Sequence, residues 1–154
     1  MLEREGVELS RIGELAQQRA ENSQKTKPRV YYISGHLNLK TQAFRNHYFG
    51  PIKTALSKWG RFVVGDAPGC DEMFQRLMRD AGLSHRVTVY HMLEKPRRWV
   101  QALEGENSKL VGGFKTDEGR DTAMTWDSDE DIAWVRSGRE SSGTAQNLLR
   151  RKQG

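Results

Sequence analysis

The residues with the most chemistry to offer sit in two small-residue stretches, SGRESSGT at 137–144 and GDAPGCD at 65–71. In the first, small side chains leave backbone N–H groups accessible just before an apolar and basic segment that reads as a helix, and a helix N-terminus favours an anion. Ser142 and Thr144 add hydroxyl donors, Gly138 and Gly143 keep the backbone open, and Arg136 and Arg139 can pair with the same charge. That is chemistry for a phosphate. In the second stretch Gly65 and Gly69 permit close backbone approach, Pro68 stiffens the turn, and Asp71 is placed to cap the helix that follows. Each stretch also reads as an ordinary strand-to-helix turn with nothing bound, and the residues alone leave both readings open.

Other chemistry-bearing residues lie near these turns. Asp66, Asp71 and Asp121 are carboxylates that could serve a hydrolytic step. His36 and His91 stand at expected strand ends, where an imidazole contacts phosphate, carries a proton near neutral pH, or simply packs. The single Cys70 reads as a small buried residue, with no histidine partner to activate it. The acidic run DSDED at 127–131 lacks the central glycine and final Glu of a calcium loop, so it reads as a solvated turn and no metal site is expected. In EKPRRW at 94–99, Trp99 could lie over a base with Arg97 and Arg98 near phosphates, or anchor a long loop in the core.

These residues need a scaffold, and the apolar patterning supplies one. RVYYIS at 29–34, RFVV at 61–64, RVTVYHM at 86–92 and the segment 131–135 are β-branched or aromatic runs that read as strands. Between them lie helical patterns: one from a Thr41 cap to Gly60, with a break or kink expected at Gly50-Pro51; one over 71–81, stopped by Gly82; one over 116–126; and one from Thr144 onward. Residues 93–118 read as a long loop, with a short helix near 99–103 and a flexible Gly112-Gly113. Strands alternating with helices predict a single α/β domain of Rossmann-like type, its mostly parallel sheet of at least four strands covered by helices on both faces. In such a sheet ligands bind outside the carboxyl ends of the strands, where Ser34, Gly35, His36, Gly65, Asp66, His91 and Gly138 fall. Residues 1–28 read as a peripheral helix, with Leu9, Ile12, Leu15 and Ala16 at helical spacing, and a polar linker; the ligand-binding domain is expected over 29–154.

Bulk composition fits this picture. A chain of 154 residues suits one core. With 25 Lys and Arg against 20 Asp and Glu, the formal charge is +5, which favours an anionic partner: a nucleotide, a nucleic acid or an acidic protein. One cysteine forms no internal disulfide, and no apolar run reaches the length of a membrane span, so a cytoplasmic setting and no membrane partner are expected. Homo-oligomerisation is left open.

The motifs also carry a resemblance. GDAPGCDEMFQRLMRDAG looks like the G-x-x-x-G-x-D element and following helix of the SLOG superfamily, a Rossmann-like group that includes DprA-like proteins and the LOG phosphoribohydrolases. The later GGF followed by GRDTAMTWDSDEDIAWVRSGRESSGTAQNL resembles that superfamily's Arg-bearing helix, next strand and terminal G-T loop, and the small YspA/YpsA-related members are the most alike. The likeness spans about 29–149 and rests on motif order. It implies ligand contacts from Ser34, Gly35, Gly65, Gly69, Asp71, Arg120, Asp121, Met124, Gly138, Gly143 and Thr144. Beside these, the residue reading keeps His36, Asp66, Ser142 and Asn147 as candidates. LOG enzymes carry Glu three residues after the G-T pair, whereas Asn147 stands here, and an amide cannot stabilise an oxocarbenium-like centre as a carboxylate does. Many Rossmann-like relatives also add a strand beyond the equivalent of Gly154. The expectation is a module that binds or senses a nucleotide or nucleotide-derived, phosphate-bearing small molecule, its identity open. The alternatives are a nucleotide N-glycosidase or hydrolase using Asp66, Asp71 or Asp121, and DprA-like binding of single-stranded nucleic acid.

Overall fold

The computed structural model describes residues 2–23, 27–98 and 109–153. Its five strands are β1 (Val30–Ser34), β2 (Arg61–Val64), β3 (Val87–Met92), β4 (Lys109–Phe114) and β5 (Glu130–Ala133). They form one all-parallel sheet in the order β4-β3-β2-β1-β5. The fold is a single α/β domain of Rossmann-like type. Side-chain alternation along the strands sorts the core into two layers. Tyr31, Ile33, Phe62, Val64, Val87, Val89 and Ile132 face one side, while Tyr32, Val63, Tyr90 and Met124 meet on the other.

The first layer is covered by α1 (Leu2–Ser23), by the helix between β1 and β2, and by α4 (Cys70–Asp80). Helix α4 ends as its Gly82 predicts: with φ +72, Gly82 donates to the Arg79 carbonyl and Leu83 donates to the Met78 carbonyl, at 3.0 and 2.8 Å. Leu9 of α1 is fully buried among these elements, a contribution of about 1.5–3 kcal/mol. Arg86 also fastens α1, donating to the carbonyls of Gly13 and Gly60 at 3.3 Å each. Leu15, expected on the apolar stripe, is instead half exposed. The second layer is covered by α5 (Asp117–Trp126), whose Met124 lies in it, and by α6 (Gly143–Gln153), which packs on α5 and β5. Among the described residues, no helix is long and apolar enough to cross a membrane.

Four local expectations change. Residues 93–118 are not one long loop, because 109–114 form the edge strand β4 beside β3. Glycine is a poor strand former, which hides this strand in the sequence, yet here it is required: a Cβ on Gly112 would collide with the His91 imidazole across the ladder. Gly113, at φ +91, takes up the register shift that follows. The short helix expected near 99–103 lies outside the described residues.

The helix after β1 does not break at Gly50-Pro51. It runs as α2 (Thr41–Phe44), a π-helical turn (Arg45–Phe49) and α3 (Gly50–Ser57), the widened turn absorbing the missing proline N–H and its clash with the preceding carbonyl. Its cap position belongs to Lys40, in extended conformation and without a side-chain bond, so Thr41 is the first helical residue. Likewise Gly69, at φ +80, occupies the cap position of α4, and Asp71 lies one residue inside the helix.

Candidate functional site

The order of the sheet fixes where a cleft opens. The chain leaves β1 toward β2 on one side, and β5 returns to pair with β1 on the other, so the loops after β1 and β5 diverge at the carboxyl edge. A cleft of about 250 Å³ lies there. The end of β1 and the loop after it supply Ser34, Gly35, His36 and Leu37; the turn after β2 and the start of α4 supply Ala67 and Asp71; the first turns of α5 supply Asp117, Arg120 and Asp121. Arg139, Ser142, Gly143, Thr144 and Asn147 line it from the last loop and α6, and Arg97 lines it from the segment after β3.

Two glycines make this convergence possible. A Cβ on Gly35 would come within 2.6 Å of the Cys70 side chain and within 2.5 Å of the Tyr48 hydroxyl. A Cβ on Gly69 would strike the backbone oxygens of His36 and Leu37. The β1 loop and the first turn of α4 therefore touch backbone to backbone, and the Cys70 N–H donates to the His36 carbonyl at 3.3 Å.

Beneath the cleft is a network of charges. Asp66 is fully buried and accepts from Arg120 Nη1 at 2.7 Å, from the Arg97 N–H at 2.7 Å and from Arg97 Nη2 at 3.2 Å. Burial alone would raise its pKa, but the hydrogen bonds and charge of Arg97 and the charge of Arg120 hold the carboxyl below its ordinary range. Arg120 also donates to Asp121 at 3.1 and 3.2 Å and reaches Asp117 at 3.3 Å. Its guanidinium is thus shared by three carboxylates. Asp71, by contrast, has one backbone donor, the Ala67 N–H at 3.1 Å. Burial pushes its carboxyl up to about 7, the Ala67 bond and the Arg120 charge opposing the shift, with Asp121 and Asp66 adding to it. Asp121 is raised too, first by burial, against the opposing charge of Arg120. The cleft wall thus holds a carboxyl that carries a proton near neutral pH beside partly compensated carboxylates.

The opposite wall is built to donate. Ser142 Oγ accepts from the Ala145 N–H at 3.2 Å, which makes Ser142 the cap of α6 and leaves the first-turn N–H groups of Gly143 and Thr144 without intrahelical acceptors. Arg139, exposed, has no ion pair among the described residues. Ser34 is buried and its Oγ has no hydrogen-bond partner among the described residues. His36 is buried as well; its Nε2 accepts from the Arg136 N–H at 2.9 Å, which puts the ring proton on Nδ1. Burial and the charges of Arg136 and Arg139 hold its pKa below the ordinary value, so the ring is neutral and anchors the loop that carries Arg139.

Asn147 is drawn into the structure. Its Nδ2 donates to the Tyr32 hydroxyl at 2.9 Å, and its Oδ1 accepts from Arg150 at 2.8 Å. Burial and the nearby Asp121 charge push the Tyr32 hydroxyl well up, so α6 is tied through Asn147 to a tyrosine beside the carboxylate cluster.

Of the residues singled out from sequence, Ser34, Gly35, His36, Asp71, Arg97, Arg120, Asp121, Arg139, Ser142, Gly143, Thr144 and Asn147 line the cleft together. The others do not. Gly65 and Asp66 lie behind it, where a Cβ on Gly65 would come 2.7 Å from Asp71 Oδ2. Gly69 shapes the turn, Met124 is 1 % exposed inside the second core layer, and Gly138, at φ +84, donates its N–H to Glu140 on the exposed loop. His91, on β3, is buried against Gly112 of β4, outside the cleft. Cys70 is buried, and burial pushes its thiol well up. Trp99 lies outside the described residues. Leu37, Ala67 and Asp117 line the cleft without having been singled out; of these only Asp117 had a readable signal, its spacing of three residues before Arg120 on one helix face. Among the described residues, no group of three or more His, Cys, Asp or Glu is placed to hold a metal ion. No family model, curated protein or solved structure matches the chain.

Proposed function

We propose that the cleft binds a small phosphate-bearing ligand of nucleotide type and that the protein acts as a binding or sensing module. The observation that carries this reading is the donor wall. The first turn of α6, Arg139 and the buried Ser34 hydroxyl, the last two unpartnered among the described residues, converge on one cleft at the point where the strand order reverses. The phosphate would sit against Gly143 and Thr144, and ligand hydroxyls would meet Asp71 and Asp121 on the facing wall. Most of the positive charge is already matched: Arg97 and Arg120 are engaged by Asp66, Asp117 and Asp121. That balance favours a ligand with few phosphates. Mass spectrometry of small molecules released from the native protein identifies the ligand directly. Calorimetry with adenosine monophosphate and adenosine tests the phosphate contact. Gly143→Asp, which places a carboxylate at the first turn of α6 where nothing lies within 4 Å of an added Cβ, should weaken the monophosphate by about tenfold or more. Unchanged affinity in the folded variant removes α6 from the site.

One observation favours a second reading, a nucleotide hydrolase. Asp71 holds a proton near neutral pH beside Asp121, the arrangement a general acid needs. Release of free base from nucleoside monophosphates, abolished by Asp71→Asn in folded protein, would select it over the binding module.

A further inference from the structure

A second recess, of about 230 Å³, opens between the end of α5 and the last turns of α6, lined by Thr125, Trp126, Ser128, Arg150 and Arg151. Both helices begin at the cleft, so the 10 residues of α5 carry this recess about 15 Å away, to the opposite edge of the sheet.

Three features there have no structural use. Trp126 is 75 % exposed, the most exposed of the large apolar side chains among the described residues. Thr125 is 8 % exposed, and its Oγ1 is buried with no hydrogen-bond partner among the described residues. The third is charge. Arg151 is committed to Asp131 at 3.1 Å and to the carbonyls of Thr125 and Ser128 at 3.1 and 2.7 Å. Arg150 gives Nη1 to Asn147 and has no acidic partner among the described residues, and neither has the exposed Lys152 that follows. The neighbouring acids are engaged elsewhere: Asp127 accepts from Tyr90, Asp129 from the Val30 N–H, and Glu130 pairs with Arg29. The recess therefore joins an open indole face, a guanidinium with no acidic partner among the described residues and an unanswered buried hydroxyl.

We propose that this recess binds a flat aromatic ring carrying a nearby anionic group, the ring stacked on Trp126, the anion on Arg150 and a polar atom of the ligand reaching Thr125 Oγ1. An aromatic face accepts any planar ring, and a cation at its rim selects those that bear negative charge. The base and phosphate of one nucleotide unit have this chemistry, whether free or within a single strand.

The test follows the indole N–H resonance of Trp126 in the full chain, identified by its loss in Trp126→Leu. The titrants are adenosine monophosphate, adenosine and a short single-stranded thymidine oligonucleotide, and the Gly143→Asp background separates the cleft from the measurement. The expected result is a saturable shift with a phosphate-bearing titrant, weakened about tenfold or more when Arg150 is changed to Gln and in adenosine relative to the monophosphate. A shift with the mononucleotide assigns the site to free nucleotides; a shift with the oligonucleotide alone assigns it to single strands. The other tryptophan indoles report that each variant is folded. A Trp126 resonance unmoved by all three titrants at millimolar concentration overturns the proposal, as does adenosine binding as tightly as its monophosphate.

Discussion

Replacing Asp71 by Asn tests the most unusual group in the cleft. Asn keeps an oxygen to accept the Ala67 N–H at 3.1 Å and keeps the volume, so the substitution removes little besides the ionisation. The folded carboxyl titrates at about 7 against 3.8 for a free aspartate. Between those values the unfolded chain has lost the proton that the folded chain keeps. A raised folded pKa means stability that is fully present below the unfolded pKa and lost as pH rises through the folded one, at about 1.4 kcal/mol per pH unit. The interval of about three units makes the loss about 4 kcal/mol, complete just above neutral pH. Urea unfolding of wild type and Asp71→Asn at half-unit steps from pH 4 to 8.5 reads this directly. Taking the difference cancels every other titrating group the two chains share. The variant should gain on the wild type steadily from about pH 4 and level off above about pH 7. Parallel curves would mean that Asp71 is ionised throughout in the folded protein, with Arg120 outweighing burial, and would remove the basis for assigning it a proton.

Two further substitutions separate support from recognition. Arg120→Ala leaves Asp66 buried with only Arg97 beside it and should destabilise the fold by about 3–5 kcal/mol, measured by urea unfolding; a loss of ligand affinity at unchanged stability would instead make Arg120 a ligand contact. Ser34→Ala should behave oppositely: removing a buried, unpartnered hydroxyl leaves stability unchanged or improves it by about 1 kcal/mol, while affinity for a phosphate-bearing ligand falls about tenfold. Equal affinity in the two proteins would show that the hydroxyl has no ligand partner.

The strands that sequence reveals are those whose residues are apolar on both faces. In β1, Tyr31 and Ile33 enter one core layer and Tyr32 the other, so the run is continuous and readable. Strand β4 carries two glycines and an exposed edge, and its reason for existing is the His91 ring opposite Gly112, a partner in another element. The cleft divides in the same way. A parallel sheet with glycine-rich turns is enough to bring Ser34, Asp71 and Gly143 to one edge, because topology alone does it. The role of Arg120 is another matter. Its partners Asp66 and Asp117 stand 54 and 3 residues away in sequence, and Arg97 reaches Asp66 across 31. A local pattern shows an arginine near a cleft with Asp117 and Asp121 beside it on the helix, but not the buried Asp66 that occupies it.

That occupancy bears on how the cleft would hold an anion. Arg97 and Arg120 line it, yet each already faces buried or partly buried carboxylates at hydrogen-bonding distance. A ligand phosphate drawing either guanidinium away would leave Asp66, which is fully buried, poorly compensated, and an uncompensated buried charge costs several kcal/mol. In the proposed reading the anion is therefore met by donors that have nothing to give up: the first-turn N–H groups of α6, the Ser34 hydroxyl and exposed Arg139. The arginine and carboxylate network then has a different task. It holds α5 against the turn after β2, so that Asp121 and the protonated Asp71 present a wall that can both accept and donate hydrogen bonds. A wall of that kind suits ligand hydroxyls better than a second phosphate, which it would repel once Asp71 loses its proton.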